Sequence, residues 1–393
     1  MRCALAVSIV WLVAGCGGPE ATGDPDAADL VDAAPLPPLP DDAEPCAQPT
    51  LWPDAVRSSR LPVIVHYRGG AEAAMAVAVL ALVEHAWDVE VGQLGFRPPP
   101  ADDGRCGPDA ALDVFLWRGK EECYVDVLGE IDATPHDDEP PYLVVDPWGP
   151  FGGALLATTV AHELNHAFQA ADDWDDLPIA YEMTAAFVED EVHDADDGYL
   201  TQVIDFQAHP DWSIDRDDGY ETWFMYGAAL YLRYLRDRHF GGDARWIGGV
   251  WRAMRSPLGS GEPDLEDALD ELLAPRGTSF VASVPEFARW RYYTGARADG
   301  AHLEEAAAMA EPSRFARVDA AVGGQVVVDP MALGSVYVDL APRPGAQVAV
   351  RLLDADADVR WVVQVVPGAT GDGDVLAAAA GAVVLDAAVA RTL

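Results

Sequence analysis

Positive charge is scarce in this 393-residue chain: 25 Lys and Arg face 66 Asp and Glu, for a formal net charge of −41, and Lys120 is the only lysine. A nucleic-acid partner needs clustered basic side chains against its phosphates, so that class is excluded. Cysteine is sparse too, with five residues and no Cys-x-x-Cys pair, which argues against a thiolate zinc site. The sequence has no Gly-x-Ser-x-Gly elbow for a serine hydrolase, no glycine-rich phosphate loop and no internal repeat. The apolar run at residues 4–14 is too short to cross a bilayer, but it suits the core of a secretory signal behind the positive start Met1-Arg2.

That run ends in Leu12-Val13-Ala14-Gly15-Cys16, which resembles a bacterial lipobox. The resemblance implies cleavage before Cys16 and acylation of its sulfur. The chain would then be an exported lipoprotein on the outer membrane or cell surface of a Gram-negative bacterium, touching the membrane only through that lipid. Residues 17–50 carry eight acidic groups and no basic one among Gly, Pro and Ala. Such a stretch buries too little surface to fold and reads as an extended tether. Export permits disulfides. Of Cys46, Cys106 and Cys123, the pair Cys106–Cys123 closes a short loop worth roughly 3 kcal/mol and is the preferred bridge, with Cys46 free or competing.

The organising stretch is His162-Glu163-Leu164-Asn165-His166, inside a helical pattern over residues 153–171. A 3.6-residue turn stacks His162 and His166 on one face, where two imidazoles can share one metal ion. Glu163 falls about 100° further round, within reach of a water and outside the ligand set. Zinc peptidases use this pattern, with the glutamate as general base. A catalytic zinc also needs a third protein ligand and one open position. Three carboxylates compete for that role: Asp172, which would follow the motif as in metzincins but lacks the preceding glycine; Glu182 in Glu182-Met183-Thr184-Ala185; and Glu189, two turns later. Glu182 is preferred, because a helix over 179–191 joined by a short connection would run back along the motif helix.

Around this pair of helices the chain alternates at first. Strand-like runs at 61–68, 111–117 and 142–146 flank a long helical pattern at 71–91. Further helices follow from 220 to 293. Tyr226 and Tyr220 are candidates to hydrogen-bond a developing oxyanion, with weaker claims from His209 and His239. His66 and His136 stand apart from any second ligand. After Pro312 short alternating runs at 325–328, 335–340, 347–353, 360–366 and 382–385 suggest a small β-sandwich. The acidic run Asp354 to Asp358 lacks the glycine and distal glutamate of a calcium loop.

The succession Ile64-Val65-His66-Tyr67, Leu94-Gly95-Phe96, Tyr142-Leu143-Val144-Val145-Asp146, the motif helix to Gln169 and the stretch from Glu182 to Asp190 resembles a family of exported metallopeptidases. That family occurs in myxobacteria and other bacteria and is distantly similar to immune inhibitor A-type enzymes. The resemblance spans roughly residues 60–300. It implies Zn²⁺ held by His162, His166 and Glu182, with Glu163 as base. Asn165 inside the motif and Tyr181, where relatives often carry Trp, depart from the family pattern. The expected architecture is α+β: a zincin-like metallopeptidase domain over 51–311, with strands before a mainly helical half, then a β-sandwich-like domain over 312–393. The expected activity is hydrolysis of peptide bonds in extracellular or periplasmic proteins by a monomer. The alternative is a non-catalytic surface lipoprotein with a structural metal and a partner-binding β-domain.

Overall fold

Three short apolar runs and two half-exposed edge strands pair into one sheet in a computed structural model, which describes residues 37–129, 136–255, 263–319, 324–341, 348–351, 362–364 and 382–385. The strands are β1 (Asp54–Arg57), β2 (Val63–Tyr67), β3 (Leu112–Leu116), β4 (Tyr124–Val127) and β5 (Pro141–Val145). Their order is β1-β2-β3-β5-β4, with β2, β3 and β5 parallel and the two edge strands antiparallel to their neighbours. Helix α1 (Ala73–Glu90) spans the connection from β2 to β3, as a parallel pair requires.

Side chains alternate between the two faces with the strand period of two. Val63, Val65, Val114, Leu116, Leu143 and Val145 join the main core with α1 and the later helices. Phe115, Trp117, Tyr142 and Val144 point the other way, into a smaller cluster. Strands apolar on both faces need cover on both. The outer cover comes from the chain's own beginning: Leu39, Ala43 and Trp52 are buried there, and Trp52 Nε1 donates to Leu116 O at 2.8 Å.

Two expectations are therefore corrected. Residues 37–50 are not part of an extended tether; their few apolar side chains close the outer face of the sheet. The disulfide is Cys46–Cys106, not Cys106–Cys123. The sheet itself separates the latter two, since Cys106 belongs to the outer cluster whereas Cys123 packs against the main core. Cys123 is free, and its sulfur accepts from the Asp146 amide at 3.4 Å.

The helical half begins with α2 (Leu156–Gln169) and α3 (Pro178–Val192). Val160, Leu164 and Phe168 on α2 are fully buried, each contributing roughly 1.5–3 kcal/mol of apolar transfer. Pro178 opens α3, where its fixed φ suits a first turn and its missing N–H costs nothing. Then come α4 (Val203–Ala208), α5 (Phe224–Gly227), α6 (Ala229–His239), α7 (Ile247–Met254), α8 (Leu265–Leu273) and α9 (Phe280–Tyr292). The helix expected from residue 220 starts only at Phe224 and is interrupted at Ala228. Gly227 lets α5 approach α4 closely: a Cβ there would sit 2.6 Å from Phe206 Cβ and 2.7 Å from Gln202 O.

Downstream, β6 (Arg314–Asp319) pairs in parallel with β7 (Tyr337–Ala341), and β8 (Val348–Arg351) pairs antiparallel with β9 (Ala382–Leu385). Residues 325–328 are not a strand. Tyr337 donates to Ala288 O of α9 at 2.7 Å, and the described residues from Pro37 onward belong to one compact unit. The architecture is mixed α+β. Cys16 with its signal sequence, and the acidic run 354–358, lie outside the described residues. Among the described residues no helix is long and apolar enough to cross a membrane.

Candidate metal centre

Contacts between α2 and α3 run in reverse order, Gln169 with Thr184 and His162 with Glu189, so the two helices are antiparallel. This folds Glu182 back onto the histidines. The Nε2 atoms of His162 and His166 lie 3.1 Å apart. Glu182 Oε2 stands 3.1 Å from the first and 3.7 Å from the second. Each ring is held from behind through Nδ1, which faces Glu189 Oε1 at 2.7 Å in His162 and Gln169 Oε1 at 2.7 Å in His166.

Those partners settle the chemistry of the inward-facing atoms. A carboxylate and an amide oxygen only accept, so each Nδ1 donates and each Nε2 is the atom that offers a lone pair whenever its ring is neutral. With both rings neutral, two lone pairs and a carboxylate oxygen converge on one point, which is repulsive unless a proton or a metal cation is shared among them. Ligand atoms about 2.0–2.1 Å from a tetrahedral ion stand roughly 3.3 Å apart, and the observed separations bracket that value. Two imidazoles and one carboxylate match the donor set of a catalytic zinc. His162, His166 and Glu182 are grouped closely enough to hold such an ion.

Proton affinities follow from the same contacts. Burial alone would lower the His162 imidazolium pKa, but hydrogen bonds to Glu182 and Glu189 outweigh it and hold the value well above ordinary. Burial alone would raise Glu182, and the two histidines reverse that, keeping it well below the usual carboxylate range. Glu163 is raised because it is buried.

The cluster opens on a cavity of ≈ 450 Å³ whose walls include Glu163, Tyr226, Tyr220, Tyr181 and the edge strand at Tyr124 and Val125. Tyr226 stacks on His162, with ring centroids 5.7 Å apart and planes 21° apart. Burial, then the Glu182 charge, keeps the Tyr226 phenol neutral well above its ordinary range. Burial, and then the Glu182 carboxylate nearby, push the Tyr220 phenol above its ordinary range as well. Tyr220 adopts φ +63°, a left-handed conformation that a bulky residue holds only when its surroundings impose it.

The other candidates lie elsewhere. Asp172 is buried against Arg97 at 2.8 Å, and Glu189 supports His162 from behind. His66 bonds Asp113 at 2.6 Å and stacks on Phe115. His209 stacks on Trp212, and His239 bonds Tyr234. Gln169 and Asn165 were missed as site residues, although a fully polar pair on the buried face of an amphipathic helix was a visible signal. Cys123 also lines the cavity; burial pushes its thiol up to about 12, so it is not a ready nucleophile. No protein-family model matches this sequence, and no curated protein is significantly similar to it.

Proposed function

We propose that this protein is a zinc-dependent peptidase of the zincin kind that hydrolyses peptide bonds of extracellular or periplasmic proteins, tethered as a lipoprotein through Cys16. The observation that carries the reading is the convergence of two imidazole Nε2 atoms and the Glu182 carboxylate on one point, beside a buried Glu163 at an open cavity.

Zinc held by His162, His166 and Glu182 would supply Lewis-acid polarisation of the scissile carbonyl and a lowered pKa for the attacking water. Glu163 takes the proton from that water and passes it to the leaving amine. Its burial, which raises its proton affinity, suits a group that must both accept and donate near neutral pH. Tyr226, neutral and stacked on His162, donates to the carbonyl oxygen as negative charge grows there. Strand β4 pairs with β5 along one side, and its other edge is suited to receive an extended peptide as an added strand. The strands after Pro312 would form a β-sandwich-like accessory domain on a monomeric enzyme.

A structural metal would call for a closed sphere of four protein ligands. Glu189 faces the far nitrogen of His162, and Asp172 is bound to Arg97, so neither supplies a fourth. The test pairs metal analysis with peptide cleavage. Wild-type protein is expected to hold one zinc per chain and cleave a peptide library. Glu163→Gln should keep the zinc and lose roughly 10²–10⁴-fold in kcat; unchanged turnover would remove Glu163 from the mechanism.

A further inference from the structure

We propose that the wall of the cavity beside His166 is a subsite for a basic side chain, so that the enzyme cleaves peptides next to lysine or arginine. This rests on the peptidase reading of the centre and names the substrate class for it. Trp174, Asp176, Pro178 and Tyr181 make the wall, and all four line the cavity. They come from the connection between α2 and α3 and from the first turn of α3. Tyr181 meets His166 edge to face with ring centroids 6.2 Å apart, and Trp174 meets Tyr181 in the same manner at 5.4 Å. The wall is set before any substrate arrives. Tyr181 Oη donates to Asp173 O at 3.1 Å, the Trp174 amide donates to Asp137 O at 3.1 Å, and the buried Trp251 packs on Tyr181 at 5.0 Å.

Charge decides what the wall takes. Among the described residues no lysine or arginine lines the cavity, whereas the carboxylates of Glu163, Asp176 and Glu182 do. Lys120 is held over the rings of Trp117 and Tyr124, which pack with the outer cluster, and it pairs with Glu122 at 3.1 Å. The carboxylates of Glu182 and Glu163 offset the two positive charges of a bound zinc, which leaves Asp176 as the uncompensated charge of the cavity. Asp176 Oδ1 accepts from the Leu177 amide, and a carboxylate has room for further donors. A lysine or arginine side chain suits every part of such a wall. Its methylene stem packs on Pro178 and the rings, its charge is drawn to the face of the half-buried Trp174, and Asp176 pairs with its head. An uncharged aliphatic side chain gains only the packing, and a glutamate meets repulsion. The net charge of −41 draws cationic peptides to the whole surface, so selectivity has to be traced to the wall and separated from that field.

The test measures binding apart from cleavage. Zinc-loaded full-length Glu163→Gln is titrated with fluorescent alanine-based peptides that differ at one central residue: lysine, arginine, norleucine or glutamate. By anisotropy, the lysine and arginine peptides should bind roughly tenfold tighter than the norleucine peptide, and the glutamate peptide should bind weakest. Asp176→Asn, added to the same background, keeps an acceptor for the Leu177 amide and should shrink the lysine-to-norleucine ratio severalfold. Asp175→Asn removes the same charge from an exposed neighbour and should hold that ratio. Wild-type enzyme should cut the lysine peptide at a bond beside the lysine, read by mass spectrometry. Equal affinity for lysine and norleucine, cleavage away from the lysine, or equal losses in Asp175→Asn and Asp176→Asn would overturn the subsite. If the selective binding is found but wild type cuts nothing, the peptidase reading falls and the wall stands as a binding site. If no zinc is taken up, the same titration of the metal-free chain still decides the wall.

Discussion

Glu189 Oε1 stands 2.7 Å from His162 Nδ1, on the opposite edge of the ring from Glu182. The two carboxylates, two helical turns apart on α3, therefore grip one imidazole from both sides. Glu182 faces the point that His162 and His166 share, and Glu189 supports the ring from behind.

The roles separate by mutation. Glu182→Ala should abolish stoichiometric zinc, whereas Glu189→Ala should weaken it by 10–100-fold, as loss of a support behind a histidine ligand does. Chelator competition on both variants measures this. Equal losses would mean that Glu189 also ligates.

Tyr226→Phe removes a hydroxyl while keeping the ring that stacks on His162. If that hydroxyl serves the oxyanion, kcat should fall by roughly 10²-fold with KM and zinc content little changed. Steady-state kinetics and metal analysis decide it; a change in KM alone would assign the hydroxyl to ground-state binding.

Acidity at the centre gives a pH dependence whose sign is fixed. The His162 imidazolium is held above its ordinary value by Glu182 and Glu189, so it favours the folded metal-free protein most below the unfolded value of about 6.5. That stabilisation is lost as pH rises through the folded value. Buried Glu90 and Glu163, both raised by desolvation, work in the same direction from the unfolded value of about 4.3 upward, since ionisation favours the unfolded chain. The melting temperature of the metal-free protein should therefore decline as pH climbs above about 6.5. Zinc must displace the His162 proton, so its affinity should strengthen over the same range. Calorimetry with and without zinc at several pH values tests both signs.

The disulfide pairing is open to direct test. Cys46 and Cys106 are 60 residues apart, and a loop of that length stabilises by about 4 kcal/mol on chain entropy. Cys46→Ser and Cys106→Ser should each lower the melting temperature by several degrees, while Cys123→Ser should leave the covalent bridge intact. Peptide mapping of the oxidised protein would join Cys46 to Cys106.

The centre was legible because its chemistry repeats at helical spacing: His162 and His166 one turn apart, and Glu182 on the next helix after a connection short enough to force a return. The strands at 63–67, 112–116 and 141–145 were visible as apolar runs. What escaped depends on contacts between distant segments. Leu39 and Trp52 sit among prolines and acids, so nothing local marks them as the cover of a sheet face. Equally, proximity in sequence favoured Cys123 as the partner of Cys106, but a sheet stands between them. Asn165 read as a departure from a motif until Glu90, 75 positions earlier, was found opposite it.

The strap over the outer sheet face bears on how the molecule takes mechanical load. Tension applied at Pro37 would meet the Cys46–Cys106 crosslink and the Trp52 anchor first. The helices that carry His162, His166 and Glu182 pack on the other side of the sheet. The crosslink and the paired imidazoles thus stand on opposite sides of one wall, so load borne by the first need not disturb the second.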